Sequence, residues 1–150
     1  MNRPSLLALI AGVVAALPAA AQFQKPEDAI KYRQSAMFLQ GQTFGRVAAM
    51  ANGKVPFDAK VMNDNIALVD TLNHLQFAAF VDGSDKGAKT QAKPEIWSQR
   101  DKFDAAAKRS QEDVAKLVAA GKSGNLDQIK AAAGAVGKSC KACHDDFSTM

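Results

Sequence analysis

The stretch "NLDQIKAAAGAVGKSCKACHDDF", residues 125–147, sets the reading of the whole chain. Asn125 is a good helix N-cap, with Gln128 three residues on. Apolar residues then fall at Leu126, Ile129, Ala133, Val136, Cys140 and Cys143, spaced 3, 4, 3, 4 and 3. That is the heptad seam of a helix packed along other helices. The seam carries two cysteines into the interior and places a histidine, His144, immediately after them.

Working outward, proline and glycine punctuation marks three further segments. The first runs from Pro26 to about Ala51 and closes with "NGKVP", residues 52–56. Pro26 suits a first helical position, and Glu27 and Asp28 suit a helix N-terminus. Ile30, Met37, Phe44, Val47 and Ala48 form its apolar face, while Gly41 and Gly45 offer room for another element to approach. A second helix is predicted from about Asp58 to Ala79, with Met62, Ile66, Val69, Leu72 and Leu75 on one side. After the polar crossing "VDGSDKGAKTQAK", residues 81–93, a third begins at Pro94 and runs to about Ala120. Its stripe is Ile96, Phe103, Ala107, Val114 and Leu117. No segment shows sustained strand-type alternation. Four helices, three short or moderate connections and one chain predict an all-α, antiparallel four-helix bundle.

The N-terminus bears on location. Arg3 precedes an apolar run from Leu6 to Leu17, and Pro18 and Ala19-Ala20-Ala21 end it. This is the layout of a secretory signal peptide, residues 1–21, cleaved after Ala21 to leave a domain of residues 22–150. The run is shorter than the roughly 18–20 residues that a membrane-spanning helix needs. Export places the protein in the periplasm. Basic residues number 19 against 15 acidic, scattered rather than gathered into a stripe with aromatics. Nucleic acid is therefore not an expected partner.

"CKACH", residues 140–144, has the Cys-x-x-Cys-His form of c-type haem attachment. On a helix, Cys140, Cys143 and His144 share one side. Two sulfurs can then hold the porphyrin edge by thioethers, while an imidazole nitrogen reaches the iron. Three other readings compete. A disulfide at three-residue spacing within a regular helix is strained. A redox dithiol belongs at a helix N-terminus, and this motif ends a helix. Zinc needs about four ligands, and His74 is the only other histidine in the chain. The expected cofactor is one covalent haem c per chain, held by Cys140 and Cys143 with His144 as axial ligand.

A haem motif at the end of a helical bundle, together with "QKPEDAIKYRQSA", "FGRVAAMANGKVPFDA", "KPEIW" and "VGKSCKACHDDF", resembles the class II c-type cytochromes, the cytochrome c′ family in particular. The resemblance covers the whole chain after the signal peptide. It implies a five-coordinate, high-spin iron covered on its open face by Met37. It also implies Arg33 and Gln34, with Gln91, at the haem edge near the propionates. Helical spacing agrees, since Arg33 and Gln34 lie one turn from Met37 on the same face. Methionine also ligates iron, and low-spin members of the class use one near this position. Met37 as sixth ligand of a His/Met electron shuttle therefore stays open.

The resemblance further implies binding of nitric oxide and carbon monoxide, redox partner proteins and a homodimer through the first two helices. No acid–base pair or nucleophile cluster points to an enzyme. His74 reads as a surface residue near a helix end, Trp97 as a core anchor and Tyr32 as peripheral packing. Ser148 stands four residues after His144, where the family commonly has a basic side chain. Asp145 and Asp146 are read as solvated, within reach of a hydrogen bond from His144.

Overall fold

The computed structural model describes residues 23–150; the signal-peptide reading, residues 1–21, lies outside them. Five helices follow in order: α1 Pro26–Ala51, α2 Ala59–Phe77, α3 Glu95–Ser98, α4 Arg100–Ser123 and α5 Leu126–Phe147. The four long ones form the bundle.

Their ends follow local chemistry. Pro26 sits in the first turn of α1, beside Glu27 and Asp28. Asp58 caps α2 by accepting from the Val61 amide at 2.9 Å. Asn125 caps α5 in the same way through the Gln128 amide at 3.0 Å. Between α4 and α5, Gly124 turns the chain at φ +68°, a left-handed conformation that glycine adopts without strain.

The predicted third helix is one helix only in outline. Gln99 leaves helical geometry at φ −123° and ψ 48°, separating α3 from α4. Side chains on both sides of this break are tied to the crossing segment. Trp97 Nε1 donates to Val81 O at 3.1 Å and an Arg100 terminal nitrogen to Phe80 O at 2.8 Å. The expectation for Trp97 as an anchor agrees with these contacts.

Two apolar clusters divide the bundle along its length. At one end Val47, Met62, Ile66, Val69, Val114, Leu117, Ile129 and Val136 fill the space between all four long helices. The other end is aromatic, built on Phe80, Phe103 and Phe147 with Ile96. There the start of α1, the end of α2, the start of α4 and the end of α5 meet. Each helix therefore runs antiparallel to its neighbours in the sequence.

Two sequence expectations need correcting. The buried face of α2 continues through Asn73 and Gln76, whereas Leu75 is exposed and Leu72 only half-buried. A 4, 3, 4, 3 spacing from Met62 through Ile66 and Val69 reaches 73 and 76, and polar residues stand there. Gly41 and Gly45 face open space, so no element approaches them closely. The close approach falls at Gly121 on α4, where an added Cβ would meet Asn63 Oδ1 at 2.7 Å and Ile66 Cδ1 at 2.8 Å.

Candidate haem site

The aromatic end of the bundle is hollow. A cavity of about 650 Å³ opens between α1 and α5, within the size range of small-molecule and cofactor sites. Its α5 wall carries Cys140, Cys143, His144 and Phe147, and its α1 wall carries Arg33, Gln34, Met37 and Gln40. Phe77 at the end of α2, Phe80 just beyond it, and Phe103 from α4 close it with rings. Phe103 lies 4.8 Å from Phe80 and 5.5 Å from Phe147, centroid to centroid, so the cage is a packed cluster. All seven residues singled out in the sequence line this one cavity: Cys140, Cys143, His144, Met37, Arg33, Gln34 and Gln91.

Cys140 and Cys143 are unpaired and half-buried. Burial pushes the Cys143 thiol up to about 11, helped by neighbouring Cys140 and Asp146, and also raises Cys140. Both are thiols at neutral pH, the reverse of the lowered values that activate a redox dithiol. Among the described residues, no group of three or more His, Cys, Asp and Glu could hold a metal ion, which also fails the zinc reading. His144 is exposed at the cavity lip. Met37 reaches the cavity from the opposite wall, packed against the aromatic cluster.

Arg33 behaves differently from a simple rim cation. It is 2% exposed. One terminal nitrogen donates to Ala79 O at 3.2 Å and Ser84 Oγ at 2.8 Å, the other to Ser84 O at 2.7 Å and Thr90 Oγ1 at 3.2 Å. Its guanidinium carbon also lies 4.6 Å from the Phe80 ring centroid. Burial lowers its pKa to about 10, countered by Asp85, so it remains charged at neutral pH. Four of its five donors are thus engaged by residues 79–90, leaving the Nε–H. Gln34 likewise donates to Lys89 O at 3.0 Å. Gln91 is exposed at the cavity mouth, and its backbone carbonyl accepts from Thr149 N at 2.9 Å.

The remaining candidates lie outside the cavity or at its edge. His74 is exposed on α2, its Nδ1 2.9 Å from Asp70 O, and it takes no part in lining the cavity. Tyr32 packs edge-on against Phe23 at 5.3 Å. Asp145 pairs with Lys141 at 2.6 Å. Ser148 pairs with Ala92, and Lys93 Nζ donates to the carbonyls of Asp145 and Asp146 at 2.9 and 3.2 Å. A cation thus sits at the C-terminus of the motif helix, supplied by the crossing segment rather than by position 148.

The family description "Cytochrome C'" matches residues 28–148. The chain belongs to the cytochrome c′ family. Cytochrome c′ from Rubrivivax gelatinosus is 60% identical over 126 residues, covering 84% of this chain and 98% of that protein. The crystal structure of cytochrome c′ from Rubrivivax gelatinosus superposes with a TM-score of 0.83 at 59% identity, covering 85% of this chain and 99% of the other. A nitric oxide complex of a cytochrome c prime variant from Alcaligenes xylosoxidans gives 0.80 at 43% identity, covering 85% and 98%. A carbon monoxide bound variant of the same protein gives 0.80 at 43%, covering 85% and 99%.

The four-helix bundle is the family's fold, and the cavity fits the c-type haem that the family implies. It is apolar, ring-lined and open at one edge. Two thiols and an imidazole stand on one wall. Sequence reading missed the aromatic cage and a buried polar group formed by Gln40, Asn73, Gln76 and Ser110. Phe147 was findable: it lies four residues after Cys143, on the same helical face.

Proposed function

We propose that this protein is an exported, gas-binding haem protein rather than an enzyme. Cys140 and Cys143 would hold one haem c through thioethers, and His144 would supply a nitrogen to its iron. Bound haem supplies an iron with one position available to a diatomic ligand, and a one-electron couple. The single observation that carries this reading is the opposition of Met37 to the Cys140–His144 wall across one apolar cavity.

Met37 is held in the aromatic cluster opposite that wall, where it would cover a bound haem, admit small uncharged molecules and exclude bulky or anionic ones. Nitric oxide and carbon monoxide are the ligands, supported by the Alcaligenes xylosoxidans relative, variants of which have solved complexes with both gases. Gln34, Gln91 and the remaining donor of Arg33 stand at the cavity mouth, where the haem carboxylates would lie. Redox partner proteins meet the same exposed edge, at His144 and Gln91. A second copy of the chain packs on the outer face of α1 and α2, where Leu39, Leu68 and Leu75 are exposed. The first 21 residues direct export to the periplasm. Among the described residues, no helix is long and apolar enough to cross a membrane.

Attachment is tested by haem staining after denaturing electrophoresis of the protein purified from a host with a haem-ligation system. The wild-type band stains, and the Cys140→Ala, Cys143→Ala double variant does not. A double variant that still stains would end the covalent reading.

A further inference from the structure

The polar group beside the haem cavity comes from three helices, α1, α2 and α4. Gln40, Asn73, Gln76 and Ser110 are each more than nine-tenths buried. Asn73 Oδ1 accepts from Gln40 Nε2 at 3.3 Å, Gln76 Nε2 at 3.0 Å and Ser110 Oγ at 3.1 Å. Gln40, Gln76 and Ser110 line the cavity, with Asn73 behind them. Two atoms have no partner, Gln40 Oε1 and Asn73 Nδ2, one an acceptor and the other a donor.

Rotating both amides would exchange oxygen for nitrogen at these two places. Gln76 Nε2 would then face Asn73 Nδ2, donor to donor, unless its amide rotated too, and even then Gln40 and Asn73 would keep one unpaired donor and one unpaired acceptor between them. Buried polar atoms left unpaired are costly, so natural structures pair them with protein or with ordered water.

We propose that this cluster is a polar subsite of the cavity, seating a small neutral guest that both donates and accepts hydrogen bonds, and holding a water molecule in the resting protein. The guest accepts from Asn73 Nδ2 and donates to Gln40 Oε1, and a water so placed keeps two further hydrogen-bonding directions. The cluster contains no charged side chain, and the nearby guanidinium of Arg33 is committed to the crossing segment, so neither anion nor cation is favoured. Gln40 lies one turn beyond Met37 on α1 and lines the same cavity, which places the subsite beside the lid. An otherwise apolar chamber thereby gains a hydrogen-bond donor next to its gas position. That consequence rests on the gas-binding reading; the seat itself does not.

Crystal structures of the haem-loaded protein and two variants, at a resolution that shows ordered water, test this. The wild type is expected to show a water within hydrogen-bond distance of both Gln40 and Asn73. Gln40→Met, close in volume and without the amide, loses that water while the helices stay in place, and Gln40→Glu, which keeps an acceptor, retains it. A dry wild-type cluster, or the two amides paired directly with each other, would overturn the proposal. So would a water that persists unchanged in Gln40→Met. Failure of the purified protein to take up carbon monoxide would sink the gas-binding reading and leave the water seat to be judged on its own density.

Discussion

Replacing Arg33 with methionine separates the two tasks assigned to this side chain. The guanidinium holds the crossing segment through two backbone carbonyls and two hydroxyls, and it lies over the Phe80 ring. Ser84 Oγ keeps a partner in the variant, because it also bonds Val81 O at 2.7 Å. The carbonyls of Ala79 and Ser84 lose their strong donor, at about 1–3 kcal/mol each. The lost cation–π contact adds about 1 kcal/mol. Burying a methionine instead of a charge returns part of this, since desolvation is what lowers the arginine pKa. The net loss is about 3 kcal/mol. For a domain of this size that lowers Tm by about 10 °C. Far-ultraviolet circular dichroism melts and limited proteolysis of the haem-loaded protein are the assays, with new cleavage expected within residues 78–94. A Tm within about 2 °C of wild type, with no new cleavage, would refute the argument. A shifted reduction potential under those same conditions would return Arg33 to the haem edge alone.

Three further outcomes are expected. Gly121→Ala forces a methyl group against Asn63 and Ile66, and overpacking of this kind lowers stability by about 1–3 kcal/mol in a denaturant titration. Asp113 is buried, which pushes its carboxyl up, but hydrogen bonds from Lys116 and Arg109 outweigh burial and hold it below the ordinary value of 3.8. Its stabilising contribution is therefore complete above the usual carboxylate range and fades as pH falls below 3.8, so Asp113→Asn flattens the acid limb of stability against pH. Met37→Ala removes the lid and is expected to speed carbon monoxide uptake by stopped flow, with little change in haem content.

The fold was legible because the long helices carry apolar faces of helical period and proline, glycine and polar residues mark most of the breaks between them. Asn125 announced α5 as a cap, and the seam is buried or half-buried from Ile129 to Cys143 as its spacing requires, with only its first residue, Leu126, exposed. Cys140, Cys143 and His144 were legible because they are rare types gathered in one motif, whereas Met37, Arg33, Gln34 and Gln91 came from the resemblance to the family. Physical context hid the rest. Asn73 and Gln76 gave no signal, because amides are normally exposed and only four-helix geometry turns these two inward. The engagement of Arg33 with residues 79–90 depends on how a long polar crossing folds back, which no periodicity encodes. The break at Gln99 arises in a segment whose pattern remains helical throughout.

The central claim is an iron held by His144 with Met37 as lid and not ligand. The most direct test is the electron paramagnetic resonance and optical spectrum of the purified haem-loaded protein, ferric and ferrous, before and after nitric oxide. High-spin spectra that change when the gas is added are expected. A low-spin spectrum with a methionine–iron band, indifferent to nitric oxide, would contradict the claim and make the protein a His/Met electron shuttle.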